Sequence, residues 1–252
     1  MAQKNNRFER FQHCKPPALL EVDDLGGILK AGVRLSKEAI TFMFEMPEPE
    51  LVEMGDVLGI DIGKVTAISC SNGHVSRKNK HGHDLNSIIE VMSRKKKGGK
   101  GFKRCEEHRK NYINWAINQL KLGGIKQINI ERIQYLRKGK KSSRQMSHWT
   151  YTQILGKLMS KAQEQGVLVR ELNPVYTSQR CSICGWVRKG NRNGKMFRCD
   201  QCGHHADADL NASQNLALPL LAINKKQRLA HENRKGFYWD VPGQEPIVPA
   251  TH

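Results

Sequence analysis

Val57-Leu58-Gly59-Ile60-Asp61-Ile62-Gly63 sets one acid inside an apolar run, with a glycine two residues to either side. Apolar, β-branched composition of this kind predicts a strand, and a carboxylate inside such a strand is costly unless it is paired or holds a metal. Val65 to Cys70, a Ser71-Asn72-Gly73 turn and His74-Val75 complete the pattern of a β-hairpin whose first strand carries the acid. Further along, Tyr112, Trp115, Ala116, Gln119 and Leu120 fall at helical spacing and run to Gly123-Gly124, a natural left-handed cap. Ile125 to Glu131 then reads as a buried strand that again ends in an acid. Ile154, Leu155, Leu158, Met159 and Ala162 predict a second helix, stopped at Gly166 before a strand over Val167 to Leu172. Strand hairpin, helix, strand, helix, strand is an α/β arrangement.

On either side of this body the chain changes character. Gly27 to Leu35 and Ala39 to Phe44 alternate loosely, as a short β appendage would. Two Cys-x-x-Cys pairs lie between Cys181 and Cys202, a helix is expected from about Ala208, and Lys225, Lys226 and Arg228 make a basic end. Beyond Trp239, the residues Pro242, Gly243, Pro246 and Pro249 read as unstructured chain. The expected divisions are a β-rich segment over 1–56, a core over 57–178, the cysteine module over 179–204, a last motif and helix over 205–235, and a flexible tail over 236–252.

The charge points to the partner. The 252 residues carry 42 Lys and Arg against 24 Asp and Glu, a formal charge of +18. Basic side chains that neutralise phosphates release counterions and gain affinity by doing so, which makes nucleic acid the leading partner. No apolar run reaches the eighteen or so residues of a membrane span, since Leu216 to Ile223 is broken by Pro219. Met1 to Pro17 has no apolar stretch of the kind a secretory signal needs, so the expectation is a cytosolic protein without a membrane partner.

Cys181, Cys184, Cys199 and Cys202 form two pairs separated by fourteen residues. Each pair places two thiolates on one turn, and two such turns facing one another give the closed tetrahedral sulfur shell of structural zinc. Gly185 and Gly203 follow the pairs directly and suit the turns. A redox pair or plain core thiols are the competing readings; Cys14, Cys70 and Cys105 stand alone and read as ordinary thiols. A fully ligated zinc has no open position, so it would stabilise the module and take no part in catalysis.

Asp61 and Glu131 are joined by Asp209, just after the cysteine module at the start of a helix whose same face carries Ala212, Ser213 and Leu216. Asp207, on a more polar face, reads as the N-cap of that helix. Three carboxylates gathered near strand ends can hold two divalent ions, which together stabilise the attacking and leaving oxygens of a phosphodiester. Oxygen ligands suit Mg²⁺ or Mn²⁺ and thiolates suit Zn²⁺, so the two sites would not compete for metal.

Gly59-Ile60-Asp61-Ile62-Gly63, Ile128-Asn129-Ile130-Glu131 and Asp207-Ala208-Asp209-Leu210-Asn211-Ala212-Ser213-Gln214-Asn215-Leu216 resemble the three split parts of the RuvC nuclease in TnpB proteins and type V CRISPR effectors. The approach to the cysteines, Asn173-Pro174-Val175-Tyr176-Thr177-Ser178-Gln179-Arg180-Cys181, is similar to that family's lead into its zinc ribbon. The resemblance covers Val57 to about Ala217 and implies an RNase H-like fold with an inserted four-cysteine ribbon. It also implies a metal-dependent endonuclease that cuts DNA under the direction of a bound RNA, with Asp61, Glu131 and Asp209 on two Mg²⁺ or Mn²⁺ ions. Family members generally carry a wedge β-barrel with a helical recognition insertion ahead of the first nuclease motif. With fifty-six residues before Val57, the expectation here is a short form keeping a remnant of the barrel over Gly27 to Phe44.

Two basic stretches adjoin the acids and are expected to face nucleic acid. The first, between Ser93 and Lys110 and with its first half made flexible by Gly98-Gly99 and Gly101, holds Arg94, Lys95, Lys96, Lys97, Lys100, Lys103 and Arg104; the second holds Arg132, Arg137, Lys138, Lys140, Lys141 and Arg144. A solvated basic excursion is the plain alternative. Trp115, Trp149 and Tyr151 read as core, while Trp186, Phe197 and Arg188 sit in a module with little interior to hide them. Two other functions compete with the guided nuclease: a non-cleaving nucleic-acid-binding repressor or transposition accessory protein, and a guide-independent nuclease directed by DNA structure.

Overall fold

The computed structural model describes residues 28–36, 40–45, 47–63, 65–133 and 151–241. The chain divides into two compact units, 1–49 and 50–252. In the first, β1 (Ile28–Leu35) pairs antiparallel with β2 (Ile40–Glu45), with a register shift between Leu29 and Val33.

The second unit is built on a four-stranded sheet in the order β4-β3-β5-β6. Its members are β3 (Asp56–Asp61), β4 (Ser69–Cys70), β5 (Ile125–Glu131) and β6 (Leu168–Leu172). β3 runs antiparallel to β4 but parallel to β5, and β5 is parallel to β6. The hairpin read from Val65 to Cys70 is shorter than expected, since its second strand pairs only from Ser69. The Ser71-Asn72-Gly73 turn forms as expected: Cys70 N–H donates to the His74 carbonyl at 2.8 Å, and Gly73 takes φ +85°.

Three helices supply the apolar cover. Helix α1 (Leu85–Ser93), unanticipated from the sequence, buries Leu85, Ile88, Ile89 and Met92 at helical spacing. Its signal was local: Asp84 caps it, accepting from Ser87 N–H at 2.8 Å, while Ser87 Oγ accepts from Asp84 N–H at 3.0 Å. Helix α2 (Lys100–Asn118) starts well before Tyr112, so the basic stretch is helical from Lys100 onward, Gly101 included. It also ends before Gly123-Gly124, because its last turn closes through Gln119 N–H to the Trp115 carbonyl and no glycine is needed. Tyr112, Ile113, Ala116 and Ile117 face inward, whereas Trp115 is 36% exposed and not the core residue expected. Helix α3 (Tyr151–Glu164) buries Ile154, Leu158 and Ala162. These side chains join Leu58, Ile60, Ile128 and Ile130 in one core, at roughly 1.5–3 kcal/mol for each large aliphatic side chain removed from water.

Helix α4 (Ala208–Ala217) begins where the sequence places it, with Asp207 as N-cap accepting from Asp209 N–H and Leu210 N–H at 2.9 and 3.1 Å. It lies directly on β3, and the reason is Gly59. A Cβ there would stand 1.9 Å from the Ser213 carbonyl and 2.6 Å from Ala217 N. Only a residue without a side chain lets helix and strand backbones meet this closely. Asn129 fastens the other end of the helix by donating to the Leu216 carbonyl at 2.8 Å.

The cysteine module contains β7 (Trp186–Val187), β8 (Arg192–Asn193) and β9 (Met196–Arg198), and β10 (His205–Asp207) adds to β9 as the chain leads into α4. Phe197 is fully buried among the cysteines, whereas Arg188 is exposed and pairs with Asp200. After α5 (Lys225–Glu232), a strand β11 (Phe237–Tyr238) pairs with β7. Residues 236–241 are therefore not the flexible tail expected. Trp239, 6% exposed, gives its carbonyl to Arg180 and its indole N–H to the Leu221 carbonyl, and the Tyr238 ring packs tilted at 60° against Trp186, centroids 4.9 Å apart. Pro242 onward lies outside the described residues.

Candidate active site

Asp61 and Glu131 close the C-terminal ends of two neighbouring parallel strands. The register pairs Ile60 with Ile130, so the next residue on each strand is an acid, at a strand spacing of about 4.8 Å. Asp209, 4% exposed, arrives from the first turn of α4. Gly63 keeps the approach open, since a Cβ there would meet the Thr66 carbonyl at 2.6 Å and lie 3.8 Å from Asp209 Oδ2.

The electrostatics register the convergence. Burial, then the charges of Glu131 and Asp209, push the Asp61 carboxyl up to about 7, with Arg192 and Lys195 acting in the opposite sense. Glu131 is also raised, chiefly by burial, against a hydrogen bond from Thr177 Oγ1 to Oε1 and the charge of Arg192. Asp209 carries two ion pairs: Arg192 Nη2 lies 3.1 Å from Oδ1, and Lys195 Nζ sits on Oδ2. Lys195 also reaches Thr66 Oγ1 at 3.4 Å. Both cations come from the hairpin of β8 and β9, which turns at Gly194 (φ +59°). Sequence reading missed Arg192, Lys195 and Thr177. The first two lie in the spacer between the cysteine pairs and meet Asp209 only through the fold.

The four cysteines form a tighter group. One sulfur from each lies within 4.8 Å of all the others, with 3.7 Å from Cys181 to Cys202 and 3.6 Å from Cys184 to Cys199. The two turns repeat one geometry. Cys181 N–H donates to the Trp186 carbonyl and Cys199 N–H to that of His204, both at 2.8 Å. Gly185 N–H returns to the Cys181 carbonyl at 3.0 Å and Gly203 N–H to that of Cys199 at 3.1 Å, with φ of +78° and +73° at the two glycines. Burial, followed by the neighbouring thiols, pushes Cys184 up to about 12. The group could hold a metal ion. Among the described residues the four cysteines are the group so arranged, while Asp209 is engaged by Lys195 and Arg192.

Among the basic residues singled out, Lys95, Lys96 and Lys97 lie exposed between α1 and α2, and Lys100, Lys103 and Arg104 lie exposed on the first turns of α2. Arg94 pairs with Glu90 at 2.6 Å on the surface, a contact worth only a few tenths of a kcal/mol (~0.3–0.5). Arg132 is exposed directly after Glu131. Arg137, Lys138, Lys140, Lys141, Arg144 and Trp149 lie outside the described residues. Tyr151 is half-buried and donates from its hydroxyl to the Glu131 carbonyl at 2.5 Å. No helix among the described residues is long and apolar enough to cross a membrane.

A mixed α/β unit with an acid cluster at strand ends and an inserted four-cysteine module defines the class. Residues 151–216 match the family model described as Cas12f1-like, TNB domain. The CRISPR-associated endodeoxyribonuclease Cas12f1 of Sulfoacidibacillus thermotolerans is 30% identical over 212 residues, 71% of this chain and 49% of that protein. The putative RNA-guided DNA endonuclease InsQ of Escherichia coli is 43% identical over 53 residues, 21% of this chain and 13% of that protein. The TnpB-like protein aq_aa05 of Aquifex aeolicus is 34% identical over 86 residues, 31% of this chain and 28% of that protein. These matches identify the chain as a relative of the TnpB family and of the type V effectors related to it. The chain spans about half the length of the Cas12f1 relative.

Proposed function

We propose that the chain is a metal-dependent DNA endonuclease of the TnpB type, with an RNase H-like (RuvC) core, directed by a bound RNA and associated with a mobile element. Asp61, Glu131 and Asp209 would hold two Mg²⁺ or Mn²⁺ ions, and Cys181, Cys184, Cys199 and Cys202 one structural Zn²⁺. The observation that carries this reading is the convergence of three acids from β3, β5 and α4, Asp209 buried and Asp61 and Glu131 half-buried, with the charges of Glu131 and Asp209 adding to burial in raising the Asp61 carboxyl. Such a cluster repels a polyanion unless cations offset it, and in this structure the side chains of Arg192 and Lys195 do part of that. The carboxylates offer the hard oxygen donors that Mg²⁺ and Mn²⁺ prefer, and acids set on adjacent strand ends suit ligands shared between two ions. When bound, such ions activate water and stabilise the attacking and leaving oxygens.

The protein's own contribution is to aim the acids and to bring phosphate to them. Arg192 and Lys195, released from Asp209 when that carboxylate engages metal, would meet phosphate oxygens at the site mouth. Lys100, Lys103 and Arg104 crowd the start of a helix whose first turn carries no acid and whose N-cap, Gly99, gives no side-chain bond. Cations there oppose the helix dipole, an arrangement that a bound phosphate backbone would relieve. RNA guidance rests on the similarity to a relative named as a putative RNA-guided endonuclease. In the ribbon, the matched turns and four converging sulfurs fit a closed tetrahedral zinc shell.

The test is cleavage of labelled DNA by purified protein in Mg²⁺, with any co-purifying RNA sequenced. Asp61→Ala and Glu131→Ala should each abolish cutting, and cutting that survives both unchanged refutes the acid assignment. A single abundant RNA of defined sequence supports guidance; heterogeneous fragments refute it in favour of a guide-independent nuclease.

A further inference from the structure

Among the described residues Asp209 is the acid of the three that carries ion pairs, and Glu131 meets no cation at hydrogen-bond distance. Its Oε1 instead accepts from Thr177 Oγ1. Thr177 is 2% exposed and belongs to the turn leading to the first cysteine pair. Asn215 holds that turn, its Nδ2 donating to the Thr177 carbonyl at 2.9 Å and to the Arg180 carbonyl at 2.7 Å. Asn215 Oδ1 in turn accepts from Arg180 Nη1 at 2.7 Å, and Arg180 Nε donates to the Trp239 carbonyl at 2.8 Å. Asn215 is fully buried on α4, the helix whose first turn carries Asp209. One helix thus supplies one acid directly and fixes a second through a buried amide and a hydroxyl.

We infer that Thr177 is a positioning residue for Glu131, anchored by Asn215. This rests on the reading above that Glu131 is a metal ligand. Glu131 ends its strand beside two like charges, so an untethered carboxylate would swing away from Asp61 and Asp209. The Thr177 hydroxyl occupies one oxygen and leaves the other free for metal, the role that a hydrogen-bonded outer partner plays for a ligating carboxylate. The Pro174 carbonyl, 3.1 Å from Thr177 Oγ1, could satisfy the buried hydroxyl locally, so its closer bond to a strand-end acid, with its own backbone clamped by Asn215, is what orients the carboxylate.

The experiment is Mn²⁺ titration of the full chain by electron paramagnetic resonance, with thermal midpoints and zinc content measured on the same samples. Outer-partner losses typically cost about 10–100-fold in metal affinity. Thr177→Val, which keeps the shape and removes the donor, should weaken Mn²⁺ binding by at least about tenfold, while Thr177→Ser, which restores it, should stay within about twofold of the parent. Glu131→Gln separates the two layers of the argument. If Glu131→Gln weakens Mn²⁺ binding and Thr177→Val does not, the positioning role is refuted and the ligand assignment stands. If Glu131→Gln leaves binding unchanged, the ligand assignment fails and the positioning role with it. Equal weakening in Thr177→Val and Thr177→Ser, with lowered midpoints in both, also overturns the positioning role, since the side chain would then be serving the fold alone. Should Thr177→Val not fold, Thr177→Ala against Thr177→Ser makes the same comparison.

Discussion

Gly59→Ala adds one methyl group where α4 rests on β3. Gly59 lies outside the left-handed region, so alanine meets no backbone penalty there and the effect is purely steric. The new Cβ would stand 1.9 Å from the Ser213 carbonyl, and ordinary van der Waals contact begins at 3.4 Å, so α4 must lift by about 1.5 Å. Everything the methyl meets is helix backbone, and no flexible side chain can yield. Overpacking of this kind costs about 1–3 kcal/mol, occasionally more, and rigid neighbours favour the upper end. For a unit of this size 3 kcal/mol lowers the midpoint by about 6–12 °C. The lift also carries Asp209 away from Asp61 and Glu131, and a misplacement of about 1 Å can cost about 100-fold in rate. Gly156→Ala is the control. Nothing lies within 4 Å of a Cβ at that exposed position in α3, so the same substitution should stabilise by about 0.5–1 kcal/mol. Urea and thermal unfolding followed by far-ultraviolet circular dichroism read both variants, and Mn²⁺ titration reads the site. Gly59→Ala with the parent's stability and Mn²⁺ affinity would show that α4 does not bear on β3 at this residue.

Two further outcomes follow from the site. Asp61 binds its proton up to about pH 7 in the folded chain, against an ordinary value of 3.8, so the folded state holds more protons between those limits and stability must fall as pH rises through that window. Without Mg²⁺ or Mn²⁺ the protein should therefore be more stable at pH 5 than at pH 8, and Asp61→Asn should flatten that fall; an identical pH dependence in parent and variant, measured by urea unfolding, excludes Asp61 as its source. Cys184→Ser should lose the zinc proposed for the four sulfurs, read by native mass spectrometry, and loosen the module from which Arg192 and Lys195 reach Asp209. The α/β core should keep its far-ultraviolet signal, and zinc content unchanged in the variant counts against the four-sulfur site.

Much of this was legible from the order of residues because the signals were local. Cys-x-x-Cys followed by glycine dictates a turn whatever the fold, and both turns close with the same hydrogen bonds. Ile125, Ile128 and Ile130 mark Ile125 to Glu131 as a strand by their β-branched side chains, and Asp207 caps the helix that follows it in the chain. Helix α1 was equally local, in the Asp84 and Ser87 capping box and the spacing of Leu85, Ile88, Ile89 and Met92, and could have been read. Trp115 misled because helical spacing marks a face without saying how far the cover extends, and this side chain falls at its margin.

By itself, the sequence determined the kinds of group available: three acids at element ends, four thiols in two turns, and a large cationic surplus. Only the tertiary structure decided which of them meet. Lys195 reaches Asp209 across a hairpin, Thr177 binds Glu131 from 46 residues away, Trp239 returns to the ribbon, and Gly59 matters because of a helix more than 150 residues later in the chain. The physical reason is one of range. Turns, caps and periodic faces follow from neighbouring dihedrals and spacing, whereas these contacts form only when packing of the common core brings distant backbones within hydrogen-bond reach.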